Sequence, residues 1–198
     1  TQKSRANGTT MDKIVRSPDP DDPVEVNLRN PMLAGILAWL IPGAGHLYQR
    51  RYAKGILFMV CILSTFIFGM ALGGGKVVYA SFRKPDVRFP YIAQFFVGAP
   101  ALPALIQRQR VIGSHPPKEP LWNGFMAPPT QPVFESEYDE LAEWHGQLKS
   151  RFELGTLYTM VAGLLNILVI YDAFAGPVFT SPEESRKKRR DLVIDSVA

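Results

Sequence analysis

The sequence predicts an all-α integral membrane protein: a transmembrane helical hairpin, one or two further spans, and a loop with an amphipathic helix between them. Three observations lead there. Residues 55–72 form an uncharged apolar run of about 18 residues, roughly 27 Å as a helix, close to the hydrocarbon thickness of a bilayer. A second apolar run, residues 31–48, precedes it across the short basic turn Gln49-Arg50-Arg51-Tyr52-Ala53-Lys54, which is long enough only for an antiparallel hairpin. A third lies in residues 154–179. A soluble helix would carry a polar face, and residues 55–72 offer only Ser64 and Thr65.

Bulk composition hides this segregation. The 198 residues are 46% hydrophobic and 20% charged, and the mean hydropathy is zero, as in a soluble chain. Apolar runs alternate with strongly polar ones. The net charge of +4 is carried beside the apolar runs. It reads as topology-setting charge, and no aromatic-basic groove pattern points to nucleic acid. Cys61 is the single cysteine, which excludes an intrachain disulfide.

Taken in order, residues 1–30 read as a flexible polar tail, with Ser17-Pro-Asp-Pro-Asp-Asp-Pro23 opposing a helix. The tail lacks the apolar core of a cleavable signal, so the first apolar run is expected to act as an uncleaved anchor. Residues 31–107 hold the hairpin and a third apolar segment. Pro31 suits a first helical turn. Pro42 should kink or end the regular helix. Gly43 and Gly45 follow and permit close backbone approach. Tyr48 and Tyr52 suit an interfacial belt.

The run Pro42-Gly43-Ala44-Gly45-His46-Leu47-Tyr48 and the basic turn after it resemble the TM-two domain family, a pair of transmembrane helices joined by a short loop. That family reads Pro-Gly-x-Gly-x-x-Tyr-x-Gly, and Pro42, Gly43, Gly45 and Tyr48 fit it, while Arg50 stands in place of the last glycine. The likeness covers about a fifth of the chain. The whole chain also resembles uncharacterised bacterial membrane proteins that add a C-terminal span to such a hairpin. The resemblance implies architecture and a bacterial inner membrane; it implies no activity.

Residues 73–75 are three glycines that should end the second helix. Residues 89–107 are uncharged and just long enough to cross. Gly98, Pro100 and Pro103 interrupt them, so they read as a kinked third span or a re-entrant segment, the span being preferred on charge. Residues 108–152 are a proline-rich loop followed by a helix over 134–152, with Leu141, Trp144, Leu148 and Phe152 on one face and acids near its start. Residues 153–180 contain the last span. Thr159 and Gly163 form a small-xxx-small pair, Asn166 is a polar group at depth, and Asp172 lies near the far interface. Residues 181–198 are a basic tail, in which Arg186, Lys187, Lys188, Arg189 and Arg190 would contact lipid headgroups or a partner.

No catalytic, cofactor or metal site is expected. His46, His115 and His145 are far apart and lack zinc-helix spacing. Gly73-Gly74-Gly75-Lys76 lacks the strand before and the Ser or Thr after a phosphate loop. No Gly-x-Ser-x-Gly occurs, and Ser114-His115 lies in a proline loop without an activating partner. His46, Tyr48 and Asp172 read as interfacial polar residues, with His46 as a cap for the broken helix end. Pro42, Gly43, Gly45, Thr159, Gly163 and Asn166 read as helix packing, Gly45 against Thr159 and Gly163.

Four spans with both termini cytoplasmic place 14 Lys and Arg inside and 8 outside. In that topology His46 and Asp172 lie a membrane thickness apart, and Asp172 faces Arg29, Arg83 or Arg88. A three-span topology would bring His46 and Asp172 to one side. The expected role is a non-enzymatic structural or accessory subunit of a larger membrane assembly, with membrane lipids and other membrane subunits as partners. The alternative is a small transporter or a membrane-embedded enzyme acting on lipid or envelope substrates.

Overall fold

The structure, a computed structural model, describes residues 14–16, 25–82, 87–116, 118–130 and 140–176. Arg83 and the basic residues Arg186, Lys187, Lys188, Arg189 and Arg190 lie outside the described residues.

The first described feature is a small antiparallel ribbon of β1 (Ile14–Arg16) and β2 (Glu25–Asn27), with Val15 opposite Val26. It falls in the stretch expected to be an unstructured tail. Ile14, Val15 and Val26 have the β-branched character that favours strand pairing.

Helix α1 (Pro31–Leu40) is capped by the Asn30 side chain, which accepts from the Leu33 amide, and Pro31 occupies its first position. It stops at Pro42, and the chain reverses. Gly43 takes φ 83°, a left-handed value that glycine adopts without penalty. Helix α2 (Ala44–Tyr48) then runs back along α1. A Cβ on Gly45 would stand 2.1 Å from the Ala34 carbonyl oxygen, so only glycine allows this return. The expected first span is therefore a ten-residue and a five-residue helix folded against each other.

Helix α3 (Tyr52–Leu72) has 21 residues, and α7 (Ser150–Ala175) has 26. Both are long and apolar enough to cross a membrane. They pack antiparallel over most of their length. Gly69 and Gly155 touch backbone to backbone at one end, each leaving less than 3 Å between an added Cβ and the other's carbonyl oxygen. Lys54 reaches Asp172 at the other end.

Residues 89–107, the preferred third span, do not form a continuous helix. Helix α4 (Pro90–Phe95) runs inward along α7, the chain turns at Gly98 (φ 86°) and a 3-10 turn at Ala99–Ala101, and α5 (Pro103–Val111) leads back out. Gly98 breaks the helix, and Pro100 and Pro103 withhold the amides that would continue it. The α4–α5 hairpin enters from the end of α7 opposite to the α1–α2 hairpin. Their tips meet near the middle of α7, where Gly98 lies against the Trp39 and Leu40 carbonyls and the Trp39 ring packs tilted against Phe95 at 5.4 Å.

Helix α6 (Glu140–Leu148) is separated from α7 by Lys149 at φ 48°. The single helix expected over 134–152 is thus broken, and residues 134–139 lie outside the described residues. Trp144 of α6 packs edge-on against Tyr79 of Val77-Val78-Tyr79-Ala80, a segment with no exposed surface. These residues join Ile62, Phe66, Met70 and Phe152 in the main core.

Candidate functional site

Buried polar residues from several elements meet α7 along its length. At its N-terminal end, the Thr156 hydroxyl accepts from Arg88 Nη2 at 3.0 Å, and the Arg88 guanidinium lies between the rings of Tyr79 and Phe152. One turn further, Gln94 Nε2 donates to Thr159 Oγ1 at 2.8 Å and to the Val77 carbonyl at 3.2 Å. At mid-length, Asn166 Nδ2 donates to the Ala38 carbonyl at 3.1 Å and the Phe96 carbonyl at 2.8 Å. Ala38 belongs to the last turn of α1, and Phe96 caps α4. One buried amide therefore satisfies a terminal carbonyl of each hairpin, groups that helix ends leave without intrahelical partners.

At the C-terminal end of α7, Asp172 Oδ2 is the hub. His46 Nε2 lies 2.7 Å away, Arg51 Nη2 3.1 Å and Lys54 Nζ 3.4 Å. The fold places these partners by reversing at Gly43, which returns residues 46–54 to the end of α7 where α1 began. His46 has no exposed surface, and its ring packs edge-on against Phe58 at 5.1 Å. Its Nδ1 has no partner among the described residues, so the tautomer carrying the proton on Nε2 fits, with that N–H donating to the carboxylate. Beside it, Gln49 Nε2 donates to the Ala173 carbonyl at 2.6 Å and the Leu28 carbonyl at 3.3 Å. Arg29 donates to the Tyr48 carbonyl at 2.9 Å and lies over the Tyr48 ring.

Two sequence-based expectations are corrected here. Asp172 faces His46, Arg51 and Lys54 rather than Arg29 or Arg88, because the first apolar run turns back instead of crossing. Gly45 packs on Ala34 and Ala38 of its own hairpin, while Gly163 packs on the Ala93 carbonyl of α4 and Thr159 on Gly69 of α3 and Gln94 of α4. Pro42 and Gly43 form the tip of the first hairpin, with Gly43 against Gly55 of α3.

Gln49, Arg51, Lys54 and Gln107 were not expected at a site. Gln107 Nε2 donates to the Leu121 and Phe125 carbonyls, and its Oε1 accepts from the Leu121 amide, which fastens the loop after α5. A signal exists: Gln49 at the end of α2 and Gln107 midway along α5 each stand just before the first charge of a return arm.

The arrangement can clamp elements and hold a proton between an imidazole and a carboxylate. Among the described residues no group of three or more His, Cys, Asp or Glu side chains could hold a metal ion.

Fold and site together define an α-helical protein of two long apolar helices braced by two opposed half-length hairpins. The chain belongs to DUF6677, a family of unknown function, which matches residues 33–188. No curated protein and no solved structure matches it.

Proposed function

We propose that the protein is integral to a membrane, spans it with α3 and α7, and serves as a non-enzymatic structural or accessory subunit of a larger membrane assembly. The observation that carries this reading is the inversion of polarity. Ile56, Leu57, Val60, Ile67 and Phe68 of α3, and Leu157, Leu164 and Leu168 of α7, are exposed. Gln49, Gln94, Thr159 and Asn166 are buried. A soluble core helix of similar composition would be mostly buried, yet fewer than four in ten residues of either apolar stretch are. In this reading the two hairpins are re-entrant. Their irregular backbone is tolerated at depth because protein surrounds it and Asn166 satisfies its carbonyls.

Both tails then lie on the side of Asp172. That side holds 13 of the 22 Lys and Arg residues, which favours a cytoplasmic orientation in a bacterial inner membrane. The accessory role is supported by what the buried polar groups do: the amides of Gln49, Gln94 and Asn166 each tie segments distant in sequence. A transport role is the second reading, favoured by two broken helices whose carbonyl ends meet at mid-depth.

Purification from native membranes in mild detergent tests the choice. A membrane protein recovered in fixed stoichiometry is expected. A chain that runs alone and supports solute flux in reconstituted vesicles would favour transport instead.

A further inference from the structure

Along one face of α3 runs an apolar groove of about 720 Å³. Leu63, Phe66, Ile67, Met70 and Ala71 form its floor, and Pro100, Phe125 and Met126 its far wall. From Leu63 to Leu72, its last residue, the helix rises about 14 Å, close to half the hydrocarbon thickness of a bilayer. The groove thus extends from the middle of the fold, at the tip of the α4–α5 hairpin, to the end of α3 remote from Asp172. Its open end is held by backbone: the Met126 amide donates to the Gly75 carbonyl at 2.9 Å, and a Cβ on Gly75 would strike the Phe125 ring.

Two lysines adjoin that end in the chain. Lys76 follows Gly75 and lies over the Trp144 ring at 4.8 Å. Leu148 sits beside Gly74, and exposed Lys149 follows it. The nearest acid of α7, Glu153, is turned toward His145 at 3.3 Å.

We infer that this groove holds one acyl chain of an anionic phospholipid from the leaflet opposite the chain termini, with Lys76 and Lys149 meeting its phosphate. The inference rests on the membrane reading above. Length selects a chain that ends at the bilayer midplane, the lining selects hydrocarbon, and the two lysines select negative charge at headgroup level.

The test is photo-crosslinking of the full chain in vesicles containing phosphatidylglycerol with a diazirine in mid-chain, read by mass spectrometry. Retention after alkaline carbonate extraction is scored first; release overturns the membrane reading and this inference with it. In retained protein, adducts are expected to concentrate on Leu63, Met70, Phe125 and Met126, severalfold above Leu157, Leu164 and Leu168 on the outer face of α7. Ala71→Trp, at an exposed position that fills the groove, should remove this excess without releasing the protein. Lys76→Gln with Lys149→Gln should lower it severalfold for phosphatidylglycerol and leave labelling by a phosphatidylcholine probe unchanged. Adducts spread evenly over α3 and α7, or an excess that survives Ala71→Trp, overturn the groove as a site. Equal labelling by the two lipids overturns the anionic assignment.

Discussion

The imidazole of His46 meets the carboxylate of Asp172 at 2.7 Å, although 126 residues separate them in sequence. The contact joins the return arm of the first hairpin to the last turn of α7. Arg51 and Lys54 bind the same carboxylate oxygen from the start of α3. Asp172 therefore fixes three elements, α2, α3 and α7, at one end of the bundle.

His46→Ala leaves the carboxylate its two cations but removes a hydrogen bond to a charged group and opens a fully buried site. A loss of about 2 kcal/mol is expected, or about 4–8 °C in the thermal midpoint of a chain this size in detergent. Lys54, nearly half exposed, should cost under about 1 kcal/mol when replaced by Ala. Equal losses for the two variants would show that the buried pair is not the clamp.

Topology gives a sharper contrast. In this fold Arg50 and Lys118 lie at opposite ends of the long helices, whereas four spans would put them on the same side. With Cys61→Ser as background, Arg50→Cys and Lys118→Cys should react with an impermeant thiol reagent from opposite faces of the membrane. Ala99→Cys, at the tip of the second hairpin, should react from neither. Labelling of positions 50 and 118 from one face would restore the four-span arrangement.

The two long helices were legible in the sequence because uncharged length is a local property. The hairpins were less so: residues 31–48 read as a span, and residues 89–107 as a kinked span or a re-entrant segment, with the span preferred. Residues 31–48 have the length of a span, and Pro42 can kink a helix or end it. The outcome depends on whether Gly45 finds the Ala34 carbonyl within reach, a contact that no local pattern announces. Gly98 and the Trp39 carbonyl pose the same difficulty for residues 89–107. His46, Asn166 and Asp172 stood out as polar groups among apolar neighbours, but their partners depend on chain direction. A run that reverses at Gly43 returns residue 46 to the end where residue 31 began, and this alone converts a distant pair into a contact.

Glycine contacts separate packing from propensity. An added Cβ at Gly163 would lie 1.9 Å from the Ala93 carbonyl, while one at Gly146 meets nothing within 4 Å. Gly163→Ala should therefore push α4 off α7 and cost about 1–3 kcal/mol. Gly146→Ala should stabilise α6 by roughly 0.5–1 kcal/mol through the usual advantage of alanine in a helix. Thermal midpoints moving in opposite directions would fit; a neutral Gly163→Ala would mean that α4 does not seat on α7 as described.

The last prediction concerns Asn166, whose amide donates to the carbonyls of Ala38 and Phe96. Three replacements distinguish a donor bridge from mere filling of space. Asn166→Leu removes both donors and leaves two helix-end carbonyls facing hydrocarbon. Measured side-chain hydrogen bonds in membranes average about 0.6 kcal/mol and reach about 1.7 kcal/mol, so a loss of about 1–3 kcal/mol is expected for the pair. Asn166→Asp keeps the shape but turns the donor into an ionised acceptor aimed at two acceptors. A charged carboxylate at the centre of a span costs about 2.5–3.5 kcal/mol by insertion scales, so this variant should be the least stable of the three. Asn166→Gln retains the amide on a longer arm and should fall closest to the parent, with its extra methylene as the remaining strain. The measurement is the thermal midpoint of each purified protein in one detergent. The order Gln, Leu, Asp from mildest to most severe supports a bridge between the two hairpin tips. If Leu matches or exceeds the parent, the meeting of the hairpins does not depend on this amide, and the tips are held by Gly98 against the Trp39 and Leu40 carbonyls and by Trp39 on Phe95.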